Sequence, residues 1–312
     1  MIAFHVSRCW PIAVVAFGCG GGDGGGSPAE RPAYGSGTRV VLLGTGTPNA
    51  EAERSGPATA VVVDGQMYLV DAGPGVVRQV AAAGERGIGG TRIPELGIVF
   101  ITHLHSDHTV GLPDLIHTPW VLGRREPLEV FGPPGIEAMV EHLQSAFAED
   151  VRIRIEGLEP ANDTGHRVVA HPVAGGRIYQ DERVTVTAFP VRHASWPLAL
   201  GYRFDTADRR VVISGDAAPS ESIVEQCDGC DVLVHEVYSA TSHARQAPVW
   251  QEYHASAHTS STELAEIARR ARPRLLVLTH QLLWGTTPEE LVAEVQAGWD
   301  GNVVFGVDLE VY

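Results

Sequence analysis

Apolar residues recur in short runs from Thr38 onward, and the period of each run indicates the element that it forms. Runs rich in β-branched residues between turn residues predict strands. These strands cover residues 39–43, 59–63, 67–70, 97–101, 232–237, 275–279 and 303–307. The dipeptide Asp64-Gly65 predicts a tight hairpin turn, and further hairpins are predicted over residues 167–191 and 202–213.

Segments with a helical period separate these strands. They cover residues 74–83, 107–121, 135–148, 220–226, 260–271 and 288–297. Ser260 and Glu263 have the spacing of a capping box, which predicts a helix that begins there. Because strands and helices interleave in both halves of the chain, residues 38–312 are predicted to form one α/β domain with two packed sheets and helices outside.

The N-terminal residues differ in composition from the rest. An apolar run from Trp10 to Gly18 precedes Cys19, which opens a glycine-rich stretch. The run is shorter than the roughly 20 residues of a membrane-spanning helix but fits the core of a signal peptide. We expect a signal peptide at residues 1–18, a flexible tether at residues 19–37, and export to the bacterial periplasm or envelope with a lipid anchor on Cys19. An unprocessed N-terminus or a misassigned start codon is the alternative.

The composition excludes several classes of function. With 312 residues, of which 44% are hydrophobic, the chain has enough apolar material for a large core. Its formal charge of −15 gives no electrostatic basis for binding phosphate backbones, so no nucleic-acid partner is expected. All 23 basic residues are arginines, which excludes a Schiff-base lysine and a P-loop lysine. The 14 histidines are therefore the most informative residues about chemistry.

Four ligand-type side chains lie in the segment HLHSDH at residues 103–108, after a predicted buried strand. Because side chains alternate along an extended chain, His103 and His105 point the same way, while Asp107 and His108 lie on the turn into a helix and can face a second point. Imidazoles are costly to bury without a partner. The segment therefore predicts a site for more than one metal ion.

This segment resembles the HxHxDH signature of the metallo-β-lactamase superfamily, and the resemblance extends from Val40 to the C-terminus. The resemblance implies an αββα sandwich of two mixed β-sheets flanked by helices. It also implies two bound zinc ions, with other divalent transition metals as an alternative. The implied ligands are His103, His105 and His193 for one ion, Asp107, His108 and His280 for the other, and Asp216 as the bridge between them.

Within the superfamily, the chain is most similar to the ribonuclease-Z-like branch, which includes phosphodiesterases and an arylsulfatase-type group. The similar motifs are LGTGTP at 43–48, DAGPG at 71–75, HEVYS at 235–239 and HTSSTE at 258–263. The tRNA-processing members carry a long arm between the positions of His193 and Asp216. Only 23 positions separate these residues here, which leaves room for a strand hairpin. The missing arm shifts the expected substrate from tRNA to a smaller anionic ester.

The resemblance also assigns roles outside the metal ligands. It implies that His258 is the general acid for the leaving oxygen and that Glu236 orients it, and Asp107 is counted with these catalytic residues. The alternative for His258 is a structural histidine at a helix N-terminus. Trp196, Trp250 and Trp284 flank ligand segments and are candidates for the walls of a substrate pocket, with the hydrophobic core as the alternative.

Three smaller features receive plain interpretations. Cys227 and Cys230 form an isolated CxxC pair, which is expected to be structural or incidental. Asp71 is expected to support the site rather than to bind metal. His254 is assigned to surface or core, although it lies close to His258 in the sequence.

The sequence thus predicts a dinuclear zinc hydrolase that cleaves a small anionic ester, a phosphodiester or an aryl sulfate, by attack of a metal-bound hydroxide. Hydrolysis of a lactone or lactam on the same metals is one alternative. A tRNA 3′-processing nuclease, disfavoured by the missing arm, and a metal-binding lipoprotein without catalysis are the others. Membrane contact is expected only through the lipid anchor, and the oligomeric state stays open.

Overall fold

A computed structural model describes residues 37–312, which form two β-sheets packed face to face. The predicted signal peptide, almost the whole predicted tether and Cys19 lie outside the described residues. The first sheet consists of β1 (Thr38–Gly44), β2 (Ala58–Val63), β3 (Gln66–Val70), β4 (Ile98–Phe100), β5 (Leu128–Gly132) and β6 (Val168–Pro172), in that order. Its first three strands pair antiparallel and the others parallel, so the sheet is mixed.

The second sheet is also mixed. Its strands are β7 (Gly176–Gln180), β8 (Val184–Val191), β9 (Ala199–Thr206), β10 (Arg210–Ile213), β11 (Val232–Tyr238), β12 (Leu275–Leu282) and β13 (Val303–Phe305). They lie in the sheet in sequence order. Strands β7 to β10 pair antiparallel, whereas β10 to β13 pair parallel.

Ten α-helices accompany the two sheets within residues 37–312. They are α1 (Val76–Glu85), α2 (Ser106–Thr109), α3 (Leu112–Val121), α4 (Ile136–Ala146), α5 (Ala148–Glu156), α6 (Glu221–Cys227), α7 (Ala240–His243), α8 (Pro248–Ala257), α9 (Ser261–Ala271) and α10 (Pro288–Gln296). Within residues 37–312, none of these helices has both the length and the apolar character needed to cross a membrane.

The position of β1 in the fold explains why its sequence is a continuous apolar run. Val40 and Leu42 pack between the two sheets, whereas Val41 and Leu43 pack under the outer helices. Both faces of the strand are therefore buried, and neither can carry polar residues. The same division into three apolar layers runs through the molecule. The predicted αββα sandwich is confirmed.

The hairpin predicted over residues 167–191 is confirmed over residues 176–191 and wrong for the segment before them. Strand β6 pairs with β5 in the first sheet, while β7 and β8 form a hairpin in the second, so the chain changes sheets between Pro172 and Gly176. Alternation of apolar residues marks a strand but does not specify its partner. The hairpin over residues 202–213 is confirmed by the antiparallel pair of β9 and β10.

The helix predicted over residues 107–121 is two helices, α2 and α3, with a break at Val110 and Gly111. Helices α5 and α8 were not predicted, because α5 buries no residue and α8 buries only Ala257, so neither has an apolar stripe. The capping box of Ser260 and Glu263 is confirmed at the start of α9.

Gly111 holds the metal-site segment against the DAGPG loop. A Cβ atom on it would lie 2.2 Å from the carbonyl oxygen of Gly73 and 2.8 Å from that of Ala72. We expect Gly111→Ala to lower the free energy of unfolding by about 1–3 kcal/mol, the usual cost of overpacking. Chemical denaturation measures this change. Gly97→Ala is the control, because its Cβ would meet no atom closer than 3.9 Å, and an equal effect of both variants would contradict the prediction.

Cys227 and Cys230 form a disulfide at the C-terminal end of α6, and both side chains are buried in the core of the second half. This confirms the structural interpretation of the CxxC pair.

Candidate metal centre and active site

The predicted ligands meet at one edge of the sandwich, where several strands end. Residues 103–108 follow β4, His193 follows β8 and Asp216 follows β10. His280 lies inside β12, where its positive φ of 45° coincides with a register shift against β11. Such a bulge turns a side chain out of its regular direction. His280 thereby reaches Asp107, which is 173 positions away in the sequence.

Three histidines form the first cluster. His105 Nδ1 lies 2.9 Å from His103 Nε2 and 3.1 Å from His193 Nε2. All three ring atoms lie within 4.8 Å of one another. His103 and His193 are buried, and His105 is partly exposed. This arrangement places three nitrogen donors around one point.

The second cluster contains carboxylates as well as imidazoles. Asp107 Oδ2 lies 3.4 Å from His108 Nε2 and 3.3 Å from His280 Nε2. Asp216 Oδ2 lies 3.4 Å from each of the same two nitrogens. Asp216 also groups with His103 of the first cluster. Its carboxylate therefore lies between the two clusters and is within reach of donors in both.

Hydrogen bonds fix the orientation of the histidine rings. His108 Nδ1 donates to Asp71 Oδ2 over 2.8 Å, and the Thr102 backbone N–H donates to Asp71 Oδ1 over the same distance. His193 Nδ1 donates to the carbonyl of Ala257 over 2.7 Å. The bonds of His108 and His193 each occupy the Nδ1 atom and leave the Nε2 atom of that ring turned to the centre. Asp71 thus supports the site, as the sequence predicts.

The electrostatics of the centre favour a cation. His108 Nε2 is buried without a hydrogen-bond partner among the described residues. Burial lowers the pKa of His108, but the carboxylates of Asp216 and Asp71 outweigh it and raise that pKa well above its usual value. Burial raises the pKa of Asp216, yet His280 and His108 hold it well below its ordinary range. Nitrogen and carboxylate donors in this number fit divalent transition-metal ions.

His258 lies beside the clusters, next to the buried carboxylate of Glu236. The His258 Nδ1 atom is 3.4 Å from Glu236 Oε2 and 4.0 Å from Asp216 Oδ2. Backbone N–H groups of Thr259 and Ala217 fix the other oxygen of Glu236, at 2.9 Å and 3.3 Å. Burial lowers the pKa of His258, but Glu236 and Asp216 outweigh it and raise that pKa above its usual value. Glu236 is itself 1% exposed, so its carboxylate is shielded from the cleft.

A cleft of about 750 Å³ opens in front of the clusters. Its lining includes His258 and two of the three tryptophans predicted as pocket walls, Trp250 and Trp284. Trp196 lies elsewhere, because its indole N–H donates to His105 Nε2 over 2.8 Å. Trp196 therefore supports a predicted metal ligand, and its assignment as a wall of this cleft is corrected.

Sequence analysis missed part of the cleft. His254 lines it, together with Gln246. The available signal was the spacing of Trp250 and His254, which are four residues apart and so share one face of a helix; His258 follows directly after the end of that helix. That signal was hidden because α8 itself was not predicted.

Comparison with known proteins identifies the family of the chain. Residues 66–281 match the beta-lactamase superfamily domain, and the chain belongs to the metallo-β-lactamase superfamily of metal-dependent hydrolases. Its relatives include proteins named Ribonuclease Z. The one from Mycobacterium sp. (strain KMS) is 37% identical over 249 residues, which is 78% of this chain and 84% of that protein. The one from Mycobacterium bovis (strain BCG / Pasteur 1173P2) is 32% identical over 275 residues, covering 86% and 96%.

Solved structures share the fold at lower identity. A metallo-β-lactamase fold protein from Bacillus subtilis has a TM-score of 0.68 at 18% identity, over 88% of this chain and 98% of that chain. The short form of human tRNase Z has a TM-score of 0.65 at 21% identity with the same coverage. Both sets of findings support a mixed αββα hydrolase fold.

Proposed function

We propose that this chain is a dinuclear zinc phosphodiesterase that acts on small anionic esters. The observation that carries the proposal is the pair of donor clusters around Asp216, with the buried His258 at their edge and an open cleft in front. His103, His105 and His193 would hold one ion, and Asp107, His108 and His280 the other. When bound, two zinc ions stabilise negative charge on the reacting oxygens and lower the pKa of coordinated water.

The protein's own groups perform the proton transfer. With Nδ1 turned to Glu236, the Nε2 atom of His258 is the atom that donates a proton to the leaving oxygen. Glu236 is a positioning residue, since it fixes the ring of His258 through a negative charge that stabilises the protonated form. An alkoxide is a poor leaving group, so this donor supports cleavage of an ester whose leaving oxygen needs a proton. Aryl sulfates, lactones and lactams remain the alternatives to be assayed.

Two observations support a small substrate. Between His193 and Asp216 the chain forms only β9 and β10, with Thr206 and Arg210 at either side of the turn, so no arm projects there. Among the described residues, no arginine lines the cleft. A tRNA substrate needs basic groups that contact its phosphates.

The first experiment is an activity panel on purified protein with its zinc content measured by mass spectrometry. We expect turnover of bis(4-nitrophenyl) phosphate to exceed that of 4-nitrophenyl sulfate and of a lactone by at least tenfold in kcat/KM, which is about 1.4 kcal/mol of transition-state stabilisation. The phosphate and the sulfate release the same nitrophenolate, so their comparison isolates the transferred group. A faster reaction with the sulfate or the lactone would contradict the proposal. Protein with two zinc ions and no turnover of any ester would instead indicate a binding protein.

Precursor tRNA cleavage is a second candidate, favoured by the relatives named Ribonuclease Z. The same preparation should therefore be incubated with a tRNA that carries a 3′ extension. We expect no specific cleavage at the 3′ end of the acceptor stem, since this chain lacks the arm at residues 194–215. Specific cleavage at that bond would replace the proposed substrate with tRNA.

We further propose export with lipid attachment at Cys19. The apolar run before it and the glycine-rich stretch after it support this, and so does the disulfide of Cys227 and Cys230, because such bonds persist in oxidising compartments. In a bacterial host, mass spectrometry of the membrane fraction should detect a diacylated peptide that begins at Cys19. The Cys19→Ser variant should lose this peptide. Protein that retains Met1 and stays outside the membrane fraction would refute the proposal.

A further inference from the structure

An aromatic wall runs along one side of the cleft, formed by Trp250 and His254 of α8 and by Trp284 after β12. The rings of Trp250 and His254 lie nearly parallel, with an angle of 26° and centroids 5.8 Å apart. The rings of His254 and Trp284 are 4.6 Å apart. The last two rings are inclined by 55°, so the three residues form a connected row of aromatic rings along the cleft.

The wall is held in place by the structure around it. Trp284 has a positive φ of 45°, a conformation that non-glycine residues keep only where their surroundings fix it. The buried hydroxyl of Thr286, two residues on, bonds to those of Ser239 and Ser242 at 2.8 Å and 2.5 Å. The ring of Tyr238 lies 5.9 Å from that of Trp284. The wall is therefore formed before a substrate arrives.

The wall carries no charge at neutral pH. Burial and the neighbouring rings of His258 and His243 lower the pKa of His254 to about 4, so its imidazole is neutral. Trp250 is 53% exposed, which leaves much of its side chain free for contact. Neutral flat rings attract other flat rings by stacking and offer little to a phosphate group.

The position of the wall relative to His258 decides which part of a substrate meets it. The ring of His254 is 5.6 Å from that of His258, and the ring of Trp196 lies against His105 on another side of the centre. The group that leaves is attached to the oxygen that His258 protonates. That group must therefore extend from His258 along the wall, while the phosphoryl group stays at the donor clusters.

We propose that Trp250, His254 and Trp284 bind the leaving group of the substrate and select a planar aromatic ring there. The substrate class is then a phosphate diester whose leaving group contains a planar aromatic ring. This inference rests on the proposed function, because the proton donor defines the leaving side. It adds a specificity site that includes His254, whose role does not follow from the metal centre.

Binding of two inert analogues tests the wall without any turnover. Benzylphosphonate and cyclohexylmethylphosphonate contain no ester bond and differ mainly in the flatness of the ring. By calorimetric titration of the zinc-loaded protein, we expect benzylphosphonate to bind roughly threefold to tenfold more tightly, the range expected for an aromatic pair. Trp250→Ala should abolish this preference, and Trp250→Phe should restore most of it.

Val249→Ala is the matched control, since Val249 is the exposed neighbour of Trp250 on α8 and does not line the cleft. It should retain the preference for benzylphosphonate. Equal affinity of the wild-type protein for both analogues, or an unchanged preference in Trp250→Ala, would overturn the inference. A clear preference in a protein that cleaves no phosphodiester would support the wall and refute the proposed function. Cleavage of a phosphodiester by a protein without a preference for benzylphosphonate would support the proposed function and refute the wall.

Discussion

Replacing His258 by alanine is expected to slow hydrolysis of an alkyl phosphodiester by about 10²–10⁴-fold, the usual contribution of a general acid. The reason is that an alkoxide cannot leave without a proton, and His258 is the titratable side chain that Glu236 positions next to the clusters. The loss should shrink as the leaving group becomes more acidic, because a nitrophenolate departs without help. Steady-state rates across a series of leaving groups measure this dependence.

Zinc content should stay unchanged in His258→Ala, and this separates a proton donor from a ligand. Glu236→Gln should give a smaller loss with the same dependence on the leaving group, since it weakens the orientation of His258 without removing it. His142→Ala, on the exposed face of α4, is the control and should behave as the wild type. Loss of zinc would make His258 a ligand. Equal losses across the series with zinc retained would make it a positioning residue.

Asp216→Asn is expected to reduce the zinc content from two ions per chain to one or fewer. Asp216 faces His108 and His280 at 3.4 Å each and groups with His103, so its charge acts on both clusters. Removing one member of a buried charged cluster costs about 3–5 kcal/mol. That cost corresponds to a loss of roughly 10²–10⁴-fold in zinc affinity. Mass spectrometry of dialysed protein and a competition titration with a chelator measure the two quantities.

The matched control for Asp216→Asn is Asp300→Asn, which makes the same change at an exposed position. It should bind two zinc ions with unchanged affinity. The zinc affinity of Asp71→Asn should lie between those of the other two variants, because this change removes the partner of His108 and leaves every predicted ligand in place. Such supporting groups contribute about 10–100-fold in metal affinity. Two tightly held zinc ions in Asp216→Asn would show that this carboxylate does not bridge them.

The order of elements was predictable because each local pattern had a physical cause that acts over a few residues. Buried strands such as β1 need apolar residues on both faces, and the start of α9 needs a capping residue at Ser260. The predictions of secondary structure failed where no such local cause exists. Helix α5 has no buried face, and its charged residues pair with one another, as Arg152 does with Glu149 and Glu156. Strand β6 pairs with β5, where Val168 lies opposite Leu128, and no pattern within β6 itself specifies that partner.

For the site, the sequence by itself determined that the four ligand-type side chains of the HLHSDH segment lie together. They are neighbours along the chain, and an extended backbone aligns them. The tertiary structure decided the rest. His193 meets His105 across 88 positions, and a bulge turns His280 toward Asp107. The separation of Trp196 from the aromatic wall follows likewise from packing. A linear pattern shows which residue types are present, whereas distances between remote segments depend on how two sheets and their loops pack together.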